Sequence, residues 1–271
     1  MQTHRFYAPP KNFHESIISL DEGETRHLRD VLRLRAGDSA NVFDGDGNEY
    51  ECVVERIDKR TSAFRIINSV EPAAPESKLD LTLCASVLKG DKTDLAVQKA
   101  VELGVNRFIP MITARCDVKP KAAAIRIERW RKIVLEASKQ CGRARLMSVD
   151  DVSTFDEQMQ RPPRASSPTP GVPAGASPDG VEAVREGASE QKRERNLLFF
   201  SEREGVELQV TEKPTAITAF LGPEGGWDDA EIELARDRGA DVITLHGRIM
   251  KADTAAIAIS AILQHNFGDL N

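Results

Sequence analysis

The sequence predicts an α/β fold in two parts: a small β domain, then a mostly parallel sheet with helices on both faces. From residue 79 onward, apolar β-like runs alternate with helix-like runs, which is typical of a parallel sheet covered on both sides. Residues 1–73 instead contain short alternating strands between polar turns. Two segments near the end of the chain each follow an apolar run and open a helix-like run, which predicts a ligand site at the carboxyl ends of strands.

The first part is predicted to be a small barrel or curled sheet. Strands are expected over residues 39–43, 49–57 and 63–70, joined by polar turns. One helix interrupts them, because Leu28, Val31 and Leu32 follow helical spacing. The other side of this helix carries three arginines: Arg26, Arg29 and Arg33.

A short linker at residues 71–76 contains two prolines, which favour extended backbone. We therefore predict domains over residues 1–73 and 74–271. Strands of the second domain are expected over residues 79–87, 107–112, 196–200, 215–221 and 241–245. Helices are expected over residues 93–103, 228–238 and 255–265, with glycine ending the first two. A longer helix ending at Gly142 is predicted to bury one face: Ile125, Trp130, Ile133, Val134 and Ala137.

Residues 161–195 break the alternation of strands and helices. They are rich in Pro, Ala, Ser and Gly, then become polar and charged. Such a composition buries too little apolar surface to offset the entropy of ordering. We predict a flexible surface insertion there.

The composition of the 271 residues excludes several classes of protein. The chain is 40% hydrophobic, and no apolar run approaches the roughly 20 residues of a membrane span. Residues 1–10 lack the apolar core of a secretory signal, so the cytosol is the expected compartment. The four cysteines are too irregularly spaced for a zinc clamp, and no metal site is predicted.

The net charge of −6 argues against a simple basic nucleic-acid binder. Its distribution softens that objection, because residues 86–147 contain fourteen Lys/Arg and six Asp/Glu, a local balance of +8. This stretch is either a phosphate-contacting surface or a solvated, ion-paired helix face.

The strongest functional signal lies in residues 221–227 (LGPEGGW) and 245–256 (LHGRIMKADTAA). Glycines at positions 222, 225 and 226 are expected to let the backbone turn sharply and approach a ligand. A single glycine-rich loop between a strand and a helix is a weak signal, but two such loops about twenty residues apart are more specific.

The loop LGPEGG and the following L-x-x-R-I-x-x-x-x-T-A-A carry a family resemblance, which extends to residues 27–34 (HLRDVLRL), 102–105 (ELGV) and 140–143 (QCGR). The chain resembles the bacterial enzymes that methylate N3 of a uridine in 16S ribosomal RNA. These belong to the SPOUT class of S-adenosylmethionine-dependent methyltransferases. The resemblance implies a trefoil-knot parallel sheet, an amino-terminal PUA-like RNA-binding barrel, and a homodimer.

The resemblance also implies that three loops bind S-adenosylmethionine, one near residue 201 and two in the segments above. Backbone groups would contact the adenine edge, and apolar side chains its faces. His246 replaces a usual glycine and is expected to narrow the third loop. The implied cofactor residues are Ser201, Leu221, Gly222, Pro223, Glu224, Gly225, Gly226, Leu245, His246, Arg248, Ile249 and Met250.

Methylation at N3 of uracil requires loss of the imino proton and stabilisation of the resulting charge. Arg248 matches the family arginine and is the candidate for orienting the base or stabilising the anion. Asp253 is the candidate base, although the family often has glutamate there in an R-T-E-T-A-like run. The alternative is that Asp253 or Thr254 only caps the last helix.

The implied substrate is the small ribosomal subunit, with Lys89 and Arg143 as RNA contacts alongside the three amino-terminal arginines. Neither a membrane nor a metal is an expected partner. Two other functions stay open: a SPOUT enzyme acting on another atom, such as a ribose 2′-hydroxyl, or a ribosomal-RNA-binding protein without catalysis. The departures from the family at residues 246 and 251–253 permit the latter.

Overall fold

The computed structural model describes residues 4–161, 196–209 and 213–270, which form two sheets. The first sheet has six strands in the order β1-β4-β5-β6-β3-β2, and only β1 and β4 pair in parallel. Its strands are β1 (Arg5–Tyr7), β2 (Phe13–His14), β3 (Ile17–Leu20), β4 (Ser39–Phe43), β5 (Glu49–Ile57) and β6 (Ser62–Val70).

The predicted strands of this sheet are confirmed, with β4 and β5 at the expected bounds and β6 one residue longer. The turn between β4 and β5 is held by Asp44, whose carboxylate accepts from the backbone amides of Asp46 and Asn48 at 2.8 and 3.1 Å. Residues 5–20 contribute three strands that we did not predict. Each has four residues or fewer, too short for an alternating pattern to register.

The first helix, α1 (Glu22–Arg26), continues into a π-helical turn over residues 27–32. Leu28 is buried as predicted, but the side chain of Val31 is 64% exposed. That part of the prediction is wrong because the wider π turn breaks the helical spacing on which it relied. Arg33 ends the turn with a left-handed backbone conformation.

The second sheet is parallel throughout its described strands, in the order β10-β8-β7-β12-β11-β13, with β9 pairing beside β10 on β8. Its strands are β7 (Asp80–Ser86), β8 (Arg107–Ile112), β9 (Ser148–Val149), β10 (Ser153–Thr154), β11 (Asn196–Phe200), β12 (Ala216–Leu221) and β13 (Asp241–Ile243). The helices around it are α2 (Lys92–Glu102), α3 (Pro120–Ala124), α4 (Ile127–Cys141), α5 (Phe155–Gln160), α6 (Asp229–Asp237) and α7 (Ala252–Phe267).

Helices cover both faces of the second sheet. On one face, α2, α4 and α7 pack on the sheet through residues such as Trp130 and Leu263. On the other face, α5 and α6 bury Phe155 and Ile232 against the same strands. Each central strand therefore has two buried faces, which explains their near-continuous apolar sequences. The predicted α/β class with a preceding β-rich sheet is confirmed.

Helix α4 ends as predicted at Gly142, which has a φ of 94°, a conformation that glycine adopts without strain. Its start was predicted wrongly, because Ile125 precedes the helix and is exposed. The short turn of α3 in front of it reorients the chain, so the helical spacing does not extend back to Ile125. The predicted insertion at residues 161–195 lies outside the described residues, apart from Arg161.

A side chain from the first strand joins the two sheets. The guanidinium of Arg5 forms an ion pair with Glu49 at 2.7 Å within its own sheet. It also donates to the carbonyl oxygens of Ser138 and Lys139, at the end of α4, at 2.9 and 3.0 Å. Nearby, the amide of Leu146 donates to the carbonyl of Gly45 at 2.9 Å. The two sheets are thus connected by buried and half-buried polar contacts.

Arg143 is part of this junction rather than an exposed RNA contact. Its side chain is 4% exposed and forms an ion pair with Glu76 at 2.6 Å. The same guanidinium donates to the carbonyl oxygens of Val101 and Val105 at 3.0 and 2.9 Å. The prediction that Arg143 binds RNA is wrong, because its donors are already used to fasten the linker and the end of α2.

We expect Arg143→Met to destabilise the fold by about 3 kcal/mol, because it leaves Glu76 and two carbonyl groups without their partner. Urea denaturation measures this loss. The matched control is Arg131→Met, whose 49% exposed side chain pairs with Glu128 on the surface and should contribute under about 1 kcal/mol. A stable Arg143→Met protein with weakened RNA binding would contradict the structural role.

Candidate functional site

Three neighbouring strands end at the same level and open onto one cavity. The register of the sheet aligns Phe200 of β11 with Leu221 of β12 and Ile243 of β13. Because the strands are parallel, the loops that follow them leave from one edge. They enclose a cavity of about 630 Å³.

The three predicted cofactor loops meet in this cavity. Of the twelve residues proposed from the sequence, all but His246 line it. The first loop contributes one of these residues, the second contributes six and the third contributes four. They are Ser201; Leu221, Gly222, Pro223, Glu224, Gly225 and Gly226; and Leu245, Arg248, Ile249 and Met250.

His246 was expected to narrow the third loop, but its side chain does not line the cavity. Its imidazole lies on the surface, 3.5 Å from the carboxylate of Glu207. The neighbouring Gly247 lines the cavity instead. The departure from glycine at position 246 therefore leaves the cavity open.

Several lining residues were missed by sequence reasoning. Phe200 and Ile243 are the last residues of their strands and form part of the apolar wall, while Ile259 approaches from α7. Lys92, at the start of α2, is more than one hundred residues away in the chain, and no local pattern connects it with the loops. The other lining residues missed are Glu202, Gly247, Lys251, Ala252 and Ala255.

Trp227 holds the second loop against the first. Its indole N–H donates to the carbonyl oxygen of Phe200 at 2.8 Å, and its ring is fully buried. Its own carbonyl oxygen accepts from Arg203 at 2.6 Å. The ring packs on Phe199 with 4.2 Å between centroids. These contacts fix the end of the loop to the strand beside it.

The glycines of the second loop are required by packing against the protein. A Cβ at Gly222 would lie 2.9 Å from the indole of Trp227, and one at Gly225 would lie 3.2 Å from the Cβ of Arg115. A Cβ at Gly226 would meet the carboxylate of Glu202. These glycines were expected to let the backbone approach a ligand, and the atoms nearest to the added Cβ positions belong to the chain itself.

The first and third loops are also joined directly. The amide of Ser201 donates to the carbonyl oxygen of Ile243 at 2.9 Å, and the hydroxyl of Thr244 donates to the carbonyl oxygen of Ser201 at 3.0 Å. After the second loop, Asp228 caps α6 in a reciprocal capping box with Glu231, as predicted. The loops therefore form one connected unit around the cavity.

The cavity is lined by one ion pair and, among the described residues, by two cations without an ion pair, Arg248 and Lys251. Lys92 forms an ion pair with Glu224 of the second loop. The hydrogen bond to Glu224 raises the pKa of the Lys92 ammonium, and the charges of Glu224 and Asp253 add to this rise. Arg248 is exposed and has no ion pair within the described residues. Its guanidinium is available to a ligand in the cavity.

Asp253 is the second residue of α7, and the alternative that it caps this helix is wrong. The helix begins at Ala252, and the preceding Lys251 occupies the cap position. Thr254 lies inside the helix as well. One carboxylate oxygen of Asp253, Oδ1, is buried and has no hydrogen-bond partner among the described residues. Asp253 does not itself line the cavity, but its neighbour Ala252 does. A carboxylate oxygen that has no hydrogen-bond partner can accept a proton.

The predicted RNA-contacting arginines of the first sheet differ in availability. Arg26 and Arg29 have carboxylate neighbours in Glu22 and Asp30. Arg33 is exposed and has no ion pair in the described part of the chain. Lys89 pairs with Asp117 at 2.9 Å on the surface.

The basic stretch of residues 86–147 is largely neutralised. Ten of its fourteen cations lie within 4.0 Å of a carboxylate. The local excess of positive charge is therefore much less available than the sequence suggested. Four cations have no such partner in residues 4–161, 196–209 and 213–270: Lys119, Lys121, Lys132 and Arg145.

The described residues also bear on metal binding, membrane insertion and thiol chemistry. They contain no group of three or more His, Cys, Asp or Glu side chains placed to hold a metal ion. Among them, no helix is both long and apolar enough to cross a membrane. The thiols of Cys52, Cys116 and Cys141 form no disulfide among these residues, and burial raises the pKa of the Cys52 thiol to about 12. This thiol therefore stays protonated near neutral pH.

Comparison with known sequence families identifies the chain. A profile of the RNA methyltransferase domain matches residues 75–169 and 176–264. This chain belongs to that RNA methyltransferase family. A second profile, of the RNA methyltransferase PUA domain, matches residues 20–67. These two matches confirm the predicted family and the predicted PUA-like character of the first part of the chain.

Individual relatives agree over almost the whole chain. Ribosomal RNA small subunit methyltransferase E of Aquifex aeolicus is 29% identical and is matched over 97% of this chain and 99% of its own. The protein of that name from Bacillus subtilis is 28% identical, with 90% and 89% covered. A crystal structure of the Neisseria gonorrhoeae protein bound to S-adenosyl methionine has a TM-score of 0.81 at 30% identity, covering 100% of both chains.

We expect Gly222→Ala to destabilise this family member by about 1–3 kcal/mol, because the added methyl group would overlap the buried indole of Trp227. The φ of Gly222 lies outside the left-handed region, so crowding rather than backbone strain is the cause. Urea denaturation measures the loss. Gly23→Ala is the control, since its added methyl would meet only Asp21 at 3.4 Å. Equal stability of both variants would contradict the packing role of Gly222.

Proposed function

We propose that this protein transfers a methyl group from S-adenosylmethionine to N3 of a uridine in 16S ribosomal RNA of the small subunit. The observation that carries the proposal is the cavity at the ends of β11, β12 and β13, in a chain that belongs to an RNA methyltransferase family. A relative that matches over its full length was crystallised with S-adenosyl methionine, which supports the choice of methyl donor.

The cavity residues fit this donor in size and in chemistry. A volume of about 630 Å³ lies in the range of pockets for small ligands. Leu221, Leu245 and Met250 offer apolar contact for the faces of an adenine ring, while the backbone of the second and third loops offers polar groups for its edge. Bound there, S-adenosylmethionine would supply a methyl group on a positively charged sulfur, whose bond electrons remain with the sulfur after transfer.

The acceptor chemistry assigns roles to Asp253 and Arg248. The N3 proton of uracil has to leave so that its electron pair can form the new bond to carbon. The vacant acceptor on Oδ1 makes Asp253 the proposed proton acceptor. The negative charge left on uracil spreads onto the two carbonyl oxygens beside N3. The exposed guanidinium of Arg248 is proposed to stabilise that charge.

The RNA-binding surface is proposed to combine both parts of the chain. We assign residues 1–73 to an RNA-binding domain and residues 74–271 to the methyltransferase domain. Arg33 is the strongest candidate for a phosphate contact in the first domain, followed by Arg26 and Arg29, whose guanidiniums have exposed carboxylate partners. Lys89 is proposed to exchange its surface partner Asp117 for phosphate.

The proposed assembly is a homodimer that acts on small ribosomal subunits in the cytoplasm. Half-buried apolar residues of α7 that do not pack into the sheet are the candidate contact surface: Ile257, Ala258, Ala261 and Ile262. Symmetric pairing of such a helix would bury these side chains.

The product of the reaction tests the function directly. Incubation of the protein with methyl-labelled S-adenosylmethionine and small subunits from cells lacking it should place label in N3-methyluridine. Nucleoside mass spectrometry identifies the product. Label in a 2′-O-methyl nucleoside would overturn the assignment in favour of ribose methylation. Donor binding without any transfer would support an RNA-binding protein that lacks catalysis.

Asp253→Asn should lower kcat by roughly 10²-fold or more, because an amide does not accept the imino proton. Affinity for the methyl donor, measured by calorimetry, and thermal stability should stay near the parent values. Asp237→Asn makes the same chemical change at an exposed position of α6 and serves as the control. Parental turnover in Asp253→Asn would rule out proton acceptance by this carboxylate.

A further inference from the structure

Lys92 is a cation at the mouth of the cavity that comes from outside the three loops. It is the first residue of α2, lines the cavity, and reaches the carboxylate of Glu224 in the second loop. Its side chain is 42% exposed, so the ammonium lies where an incoming molecule can contact it. Two other cations also line the cavity, Arg248 and Lys251, but neither has an ion pair in the described residues.

The start of α2 is held in place by several contacts. The amide of Leu88 donates to the hydroxyl of Thr93 at 2.8 Å. Arg126, from the segment before α4, donates to the carbonyl oxygens of Leu88 and Gly90. The buried Asp94 accepts from the indole N–H of Trp130 at 2.8 Å. The backbone on both sides of Lys92 is therefore anchored to α4, and this lysine projects from a fixed point.

The charges around Lys92 stabilise its protonated form. Its hydrogen bond with Glu224 raises its pKa, with further contributions from the charges of Glu224 and Asp253. The charge of Asp253, at the start of α7, therefore acts on the ammonium of Lys92 from outside the three loops. A cation that is already oriented loses little further freedom when it stabilises developing charge.

Two carbonyl oxygens flank N3 of uracil, and both take up negative charge when the proton leaves. Arg248 is the proposed partner of one of these oxygens, so the other oxygen can accept a hydrogen bond from a second donor. Lys92 is suited to be this second donor, because it is charged, lies at the mouth of the cavity and projects from a different element than Arg248.

We infer that Lys92 donates a hydrogen bond to a carbonyl oxygen beside N3 of the acceptor uracil, and that Glu224 holds the ammonium ready until the base enters. This inference rests on the proposed function. In the transfer, the N3 proton moves to the carboxylate of Asp253, the N3 electron pair bonds to the methyl carbon, and the electrons of the broken carbon–sulfur bond stay on sulfur. Lys92 keeps its protons throughout.

The experiment compares Lys92→Met, Lys92→Arg and Glu224→Gln in the transfer assay on small subunits. Lys92→Met should lower kcat by roughly 10²-fold, as removal of a donor to a developing oxyanion does, while the affinity for S-adenosylmethionine stays within about twofold of the parent. Lys92→Arg should restore part of the loss, because it returns a charged donor. Glu224→Gln should reduce kcat by only about tenfold or less, since it weakens the restraint on Lys92 but keeps the donor.

The matched control is Lys99→Met, which makes the same change on the same helix, where Lys99 pairs with Glu102. It should keep parental kcat, and thermal unfolding checks that every variant is folded. A Lys92→Met protein with parental kcat would overturn the inference. So would equal losses in Lys92→Met, Glu224→Gln and the double variant, because these would mean that Lys92 serves only to hold the second loop.

The parent protein separates the failure of this inference from failure of the proposed function. If the parent places label at N3 while Lys92→Met is equally active, the inference alone fails. If the parent places its label in another nucleoside or transfers none, the proposed function fails, and the inference fails with it.

Discussion

The contact between Trp227 and the end of β11 is the constraint on which the cavity depends. The indole N–H satisfies the carbonyl of Phe200, and the ring leaves no space for a side chain at Gly222. A buried carbonyl left without a donor would cost about 1–3 kcal/mol, so this residue does more than fill space. Trp227 directly follows the glycine-rich loop, and its ring packs against Gly222 at the start of that loop. It therefore fixes both ends of the loop and thereby the shape of one wall of the cavity.

The sequence predicted the longer strands of the second sheet from local patterns, and it predicted most of the cavity residues through the family resemblance. Strand and helix periodicity continues through the described parts of residues 79–270, and eleven lining residues lie in three short segments. The contribution of Lys92 was not predictable in this way, since it depends on how α2 meets the second loop. The exposure of Val31 was missed for another reason, because the spacing of apolar residues does not distinguish a π turn from an α-helix.

Arg143 and the basic stretch show that the number of charged residues in a segment does not give the charge on the folded surface. The sequence supplied fourteen cations and six acids between residues 86 and 147, but acids from elsewhere in the chain, such as Glu24, Glu76 and Asp228, also reach these cations. Pairing partners that are distant in sequence become visible only after folding. Lys119 and Lys121, which have no carboxylate partner in the described part of the chain, therefore say more about the available positive charge than the total count does.

The polar junction around Arg5 has a consequence for the choice of target. Its guanidinium is shared between Glu49 of the first sheet and the end of α4, and Leu146 bonds to Gly45 across the same boundary. A hinge at this point would have to break several hydrogen bonds together. The two sheets therefore keep a fixed separation. An RNA that contacts both sheets must match this separation in the distance between its contacted backbone and its reactive base, whatever its nucleotide sequence in between.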